Sequence, residues 1–217
     1  MGKATYQTDF FQTKKSTVGW AEKKPLSRDK IHALIKDKNI AVHLFYEIDS
    51  TSDEARRIAQ GGGRAPALVI ANSQSAGRGR MGRSFHSPAG TGLYLSYLQK
   101  APENTADTLR LTTATAVALS LSIEEVFGIR TEIKWVNDLR LGGKKLCGIL
   151  TEGSIDPESG AFAYAVIGVG INVFSAPMPP EVEAIATSLD RHTDRPIDRE
   201  ALAAREHRNG NRLADVL

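Results

Sequence analysis

Residues 77–83 read GRGRMGR, in which Arg78, Arg80 and Arg83 are interleaved with Gly77, Gly79 and Gly82. Glycine lets the backbone approach a ligand closely and present its N–H groups to it. Arginine offers a planar fork of donors to a carboxylate or phosphate. Together they suit a loop that wraps an anion. The three glycines also spell G-x-G-x-x-G. A dinucleotide site, however, needs that string to turn from a strand directly into a helix. Here it runs into RSFHSPAGTGLYLSY, where Pro88, Gly90 and Gly92 precede a strand and no helix N-terminus follows. No G-x-x-x-x-G-K-[ST] string occurs, and the tract is too short and too closely flanked by strands for a repetitive RGG tail. A solvated basic loop is the plain structural alternative.

A second constellation is KWVNDLRLGGKKLCGIL, which places Lys134, Asn137, Asp138 and Lys145 around a strand and a hairpin. Asn-Asp after an apolar strand is an ordinary turn. Lys144–Lys145 is an ordinary charged hairpin edge. Their joint occurrence with the arginine loop points instead to a functional role. Cys147 lies between Leu146 and Ile149 and reads as a packed thiol. His32, His43, His86, His192 and His207 show no metal-ligand spacing, so no protein-held metal is expected.

These groups must be held by strands. AVHLFYEI (41–48) reads as a strand, and STSDEARRIAQ opens a helix with a Thr51–Glu54 capping box and a stop at Gly61–Gly63. ALVIAN (67–72) and GLYLSYLQ (92–99) are further strands on either side of the loop. Residues 106–127 form the longest helical pattern, stopped by Gly128. TEIKWV (131–136) is a strand, the next segment is a hairpin turning at Gly142–Gly143, and AFAYAVIGVGINV (161–173) is a long strand with glycines at alternate positions. After Pro177–Pro180 the chain is helical and charged. Residues 1–38 read as a basic leader, with room for a short helix near Asp29–Lys36. Interleaved strands with two or three helices predict an α+β fold: a mixed sheet with helices packed on it.

The chain has 217 residues, enough for one large or two small domains. Its net charge of +3 is weak evidence for a polyanionic partner. One cysteine permits no internal disulfide, which fits a reducing, cytoplasmic setting. No run reaches the roughly 18 apolar residues of a membrane span, and the N-terminus lacks an apolar signal core.

Four motifs, taken in order, resemble the catalytic domain of biotin protein ligase (biotin–[acetyl-CoA-carboxylase] ligase). DSTSDEA resembles the family's D-S-T-N-x-E-A, and QSAGRGRMGRSFHSPAGTGLYLS its Q-x-A-G-R-G-R-x-G-R-x-W-x-S-P string. KWVNDLRLGGKKLCGILTE resembles K-W-P-N-D-L followed by K-L-x-G-I-L-x-E, and VIGVGINV its G-I-G-I-N strand, with ATSL (186–189) following. The resemblance implies the biotin–lipoate ligase fold, a mixed sheet with helices on one face, related to class II aminoacyl-tRNA synthetases. It implies a catalytic domain over 39–190, a charged tail over 191–217, and neither a DNA-binding domain nor room for a C-terminal barrel. It implies that biotin and ATP, with Mg2+ carried by the ATP, form biotinyl-5′-adenylate and pyrophosphate. The acyl group then passes to a lysine of a biotin carboxyl carrier protein domain, with no nucleic-acid or membrane partner, in a monomer or homodimer.

By the same resemblance, Ser50, Thr51, Ser52 and Gln74 hold biotin, chiefly its ureido end. Gly77, Arg78, Gly79 and Arg80 close over the adenylate; the loop's own residues, three glycines and three mutually repelling arginines with only Met81 apolar, predict that it is mobile without ligand. Lys145 meets the carboxylate and the phosphate, Gly148 lets the strand approach biotin, and Lys145 with Arg80 carries catalysis. Arg78, Arg80, Arg83, Phe85, Asn137, Asp138 and Asn172 lie on the nucleotide side. Ser52 stands where the family has asparagine, Val136 where it has proline, and Phe85 where it has tryptophan, which keeps a ring for adenine. A lipoate–protein ligase of the same fold and a biotinyl-adenylate-binding regulator are the alternatives.

Overall fold

This computed structural model describes residues 24–214, apart from 36, 38, 101–104, 157 and 159. Most of the expected leader, 1–23, and the last three residues of the expected tail lie outside the described residues.

Seven strands form one sheet: β1 (Ala41–Phe45), β2 (Ala67–Ala71), β3 (Gly92–Lys100), β4 (Glu132–Lys134), β5 (Asp138–Leu141), β6 (Lys144–Ile155) and β7 (Phe162–Asn172). Their order is β1-β2-β3-β7-β6-β5-β4. Only β1 and β2 run parallel; every other neighbour is antiparallel. The β5–β6 hairpin turns at Gly142 (φ 58°) and Gly143 (φ 74°), the two left-handed positions that a tight hairpin turn demands.

Strand alternation sorts the helices. Leu68 and Ile70 of β2, and Leu93, Leu95 and Tyr97 of β3, join the large core with α1 (Arg28–Leu34), α3 (Thr105–Phe127) and α5 (Arg199–Ala214). Ala67, Val69 and Leu98 point the other way and pack against Ala55 and Ile58 of α2 (Thr51–Gln60). The helices therefore lie on both faces, not one. Gly148 of β6 and Gly168 and Gly170 of β7 belong to the α2 face, where their missing side chains leave room at the sheet surface. A single helical turn, α4 (Pro180–Glu183), lies in the segment leading to α5.

The packed body extends past the expected 39–190 at both ends. α5 buries Leu202, Ala203 and Ala204 against α3 and the sheet. Arg199, only 4% exposed, donates to the carbonyls of Gly92 and Lys24 and to Asn72 Oδ1. What reads as a charged tail is thus a helix whose buried Arg199, Glu206 and Asn209 have partners. Among the described residues no helix is long and apolar enough to cross a membrane.

Candidate functional site

Register builds the floor. Tyr94, Gly170 and Gly148 align across β3, β7 and β6, and Ser96, Gly168 and Leu150 align in the next row. A Cβ on Gly170 would lie 2.5 Å from Phe85 Cε1, and one on Gly168 would lie 2.6 Å from Ser52 Oγ. The glycines therefore let Phe85 and the first turn of α2 sit directly on the sheet. Between them is a narrow inner chamber of about 40 Å3, whose walls include Thr51, Ser52, Gln74, Arg78 and Leu150. Outside it opens a cleft of about 680 Å3, bounded by the arginine loop, the end of β4 and residues 178–186. Six residues line both spaces: Gln74, Gly79, Arg80, Phe85, Asn137 and Lys145.

Hydrogen bonds fix this junction. Thr51 donates its N–H (2.8 Å) and its hydroxyl (3.0 Å) to Gln74 Oε1. Gln74 Nε2 donates to Ser87 Oγ at 2.9 Å, and Ser87 Oγ to the Phe85 carbonyl at 2.9 Å. Ser96 Oγ donates to Thr51 Oγ1 at 2.8 Å from beneath. Arg80 Nη1 donates to Asn137 Oδ1 at 3.0 Å, and Asn137 Nδ2 to the Ile149 carbonyl at 3.2 Å. Lys145 Nζ lies 2.7 Å from Asp138 Oδ1. Backbone bonds from Lys145 N to the Ile185 carbonyl and from Thr187 N to the Lys145 carbonyl lace the start of β6 to the outer wall. The loop itself is a small hairpin: Gly79 N–H donates to the Arg83 carbonyl and Phe85 N–H to the Gly77 carbonyl, with Met81 exposed at the tip. Burial pushes the Tyr94 phenol, in the floor, up to about 12 and raises the Cys147 thiol beneath it, so both stay protonated.

Residues 44–172 match the biotin/lipoate A/B protein ligase family. The chain belongs to this family. It is 40% identical over 183 residues to the bifunctional ligase/repressor BirA of Bacillus subtilis (strain 168), covering 82% of this chain and 56% of that protein. It is 38% identical over 159 residues to the biotin–[acetyl-CoA-carboxylase] ligase of Paracoccus denitrificans, covering 70% and 64%. The chain thus spans little more than half the length of the first of these relatives. Among solved structures, the Aquifex aeolicus biotin protein ligase in complex with biotin and ATP superposes with a TM-score of 0.68 at 28% identity, covering 81% of this chain and 70% of that one.

Of the family positions carried over from the motifs, Thr51, Ser52, Gln74, Arg78, Gly79, Arg80, Phe85, Asn137, Lys145 and Gly148 line the inner chamber. Gly77, Arg83, Asp138 and Asn172 line the outer cleft. Asn172 Nδ2 donates to the Thr187 carbonyl at 3.1 Å. Ser50 does not reach either space. It is 1% exposed, and its Oγ accepts from Asp53 N–H at 3.3 Å as the N-cap of α2. The cap therefore falls one residue before the expected Thr51, because the Thr51 hydroxyl is taken up by Gln74. Ser52 Oγ is likewise 3.0 Å from Ser96 Oγ. The sequence reading missed Ser87, which orients Gln74, and the pair Gly168 and Gly170. The alternating glycines of 161–173 were the available signal for that pair.

Proposed function

We propose that this chain activates biotin with ATP, forming biotinyl-5′-adenylate and pyrophosphate, and then passes the biotinyl group to a lysine of a biotin carboxyl carrier domain. The observation that carries this reading is the junction, where Arg80 and Lys145 border both the inner chamber and the outer cleft. A small acid in the chamber and a nucleotide in the cleft would meet there. The presence of biotin and ATP in the Aquifex aeolicus relative supports placing the same two ligands in this chain.

The chemistry follows from charge. A carboxylate oxygen attacks the α-phosphorus, a new O–P bond forms, and the bond to pyrophosphate breaks. Both reactants are anionic, so positioned cations lower the barrier by stabilising charge that grows at the phosphoryl oxygens. Lys145 supplies a compact ammonium and Arg80 a fork, each with a partner, Asp138 or Asn137, that fixes its position. Gln74 has its amide fixed at both ends, which leaves a chamber of set shape. In the second half the acceptor amine attacks the acyl carbon and AMP leaves. Magnesium would enter with ATP, neutralising phosphate charge.

Biotin-dependent exchange of labelled pyrophosphate into ATP tests the first step, with lipoate as the parallel substrate. Exchange with lipoate and none with biotin would replace this reading with the lipoate ligase of the same fold. Mass measurement of a biotin carrier domain incubated with chain, ATP and biotin tests the transfer.

A further inference from the structure

Arg78 lines the inner chamber, and its guanidinium is tied from behind. Nη1 donates to Asp53 Oδ1 at 3.0 Å and Nη2 to Glu152 Oε1 at 3.0 Å. A second arginine closes the figure: Arg56 Nη1 is 2.5 Å from Asp53 Oδ1, and Nη2 is 2.7 Å from Glu152 Oε2. Two arginines and two carboxylates thus alternate in a ring drawn from three places: α2, β6 and the loop. Asp53, Arg56 and Glu152 border neither the chamber nor the cleft.

We infer that Asp53, Arg56 and Glu152 are positioning residues that hold Arg78 at the inner chamber before any ligand arrives. Isolated, part-exposed pairs contribute little because each must order two long side chains. Here the fork of Arg56 already fixes both carboxylates, and these present two acceptors at the spacing of a second fork. Among the described residues only two of Arg78's N–H donors are used, so others remain for a ligand. The three loop arginines are therefore unequal: Arg78 is anchored by carboxylates and Arg80 by an amide, and Arg83 has no ion pair among the described residues. A chamber with a pre-placed Arg78 should bind its acid without first ordering that side chain. Because Arg78 lines the chamber and not the outer cleft, losing its placement should weaken binding of the acid more than it slows the chemistry.

The inference deepens the proposed activity, and its kinetic arm rests on it; a proteolytic arm does not. The chain is compared with Asp53→Asn, Glu152→Gln, the double variant and Glu152→Asp, all without ligand. Trypsin must seat an arginine side chain, so the wild-type chain should be cut after Arg83 well before Arg78. In the double variant, cutting after Arg78 should rise roughly tenfold as the held form opens. The Michaelis constant for biotin in pyrophosphate exchange should rise about tenfold with turnover within about threefold, the pattern of lost uniform binding. Glu152→Asp, which keeps the charge, should fall nearer the wild type. Should the double variant unfold, the single ones give the same readings at smaller size. Unchanged cutting after Arg78 would overturn the inference, and so would a fall in turnover at constant Michaelis constant. A chain with no exchange activity on either acid would refute the proposed function while the cleavage pattern still decided the role of the ring.

Discussion

Lys145 is the most direct test of the junction, through Lys145→Met. Its Nζ sits 2.7 Å from Asp138 Oδ1, with the lysine side chain 32% and the aspartate side chain 16% exposed. Two losses follow, and they separate. Removing the ammonium leaves Asp138 half-buried without its cation, which should cost about 1–3 kcal/mol of stability, at the lower end because solvent reaches the pair. Removing a positioned cation from the reacting centre should cost about 2.7–4 kcal/mol in the transition state, or roughly 10²–10³ in turnover. Adding Asp138→Asn takes away the stranded charge. The double variant should therefore regain most of the lost stability and none of the lost rate. Thermal unfolding measures the first quantity and biotin-dependent pyrophosphate exchange the second. Exchange by Lys145→Met within about threefold of wild type would refute the reasoning and return Lys145 to an ordinary hairpin lysine.

Gly170→Ala would put a Cβ 2.5, 2.7 and 3.0 Å from three atoms of the Phe85 ring. Overpacking there should cost about 1–3 kcal/mol of stability and raise the Michaelis constant for ATP, and adding Phe85→Ala should restore the stability but not the ATP affinity. Arg80→Gly should increase release of free biotinyl-adenylate, read as untargeted acylation of lysines on a bystander protein, because the cation contributed by the loop at the junction is gone; an unchanged release rate would count against its role. Burial holds the Glu206 carboxyl up at about 7 against its usual 4.5, under the Tyr97 hydroxyl that donates to it. The folded chain then keeps a proton that the unfolded chain has lost, so stability should fall by up to about 3 kcal/mol as pH rises through that window. Glu206→Gln should flatten the slope in thermal unfolding measured at pH 5 to 8, leaving the opposite slope of His207, which burial holds below its usual range.

Local chemistry made the hairpin at Gly142–Gly143, the stop at Gly128 and the strand around Gly168 and Gly170 readable, since each rests on glycine geometry or strand period. What escaped was decided by contacts distant in sequence. Residues 49–52 supply several good caps in a row, and only the claim of Gln74 on Thr51 settles that Ser50 serves. Arg199 looks like any surface arginine until its three acceptors, on segments far from α5, are in place around it. α2 is visibly amphipathic, yet nothing local says which face of the sheet it covers; that follows from which residues of β2 and β3 face the large core. The loop itself is the clearest case. In sequence its three arginines are equivalent, each beside a glycine and each able to grip an anion. Their partners divide them: carboxylates on α2 and β6 hold Arg78 to the inner chamber, an amide after β4 holds Arg80 at the junction, and Arg83 faces the outer cleft alone among the described residues. A motif can place three charges on one loop, but the fold around it gives each charge its own partner and its own place at the chamber, the junction or the cleft.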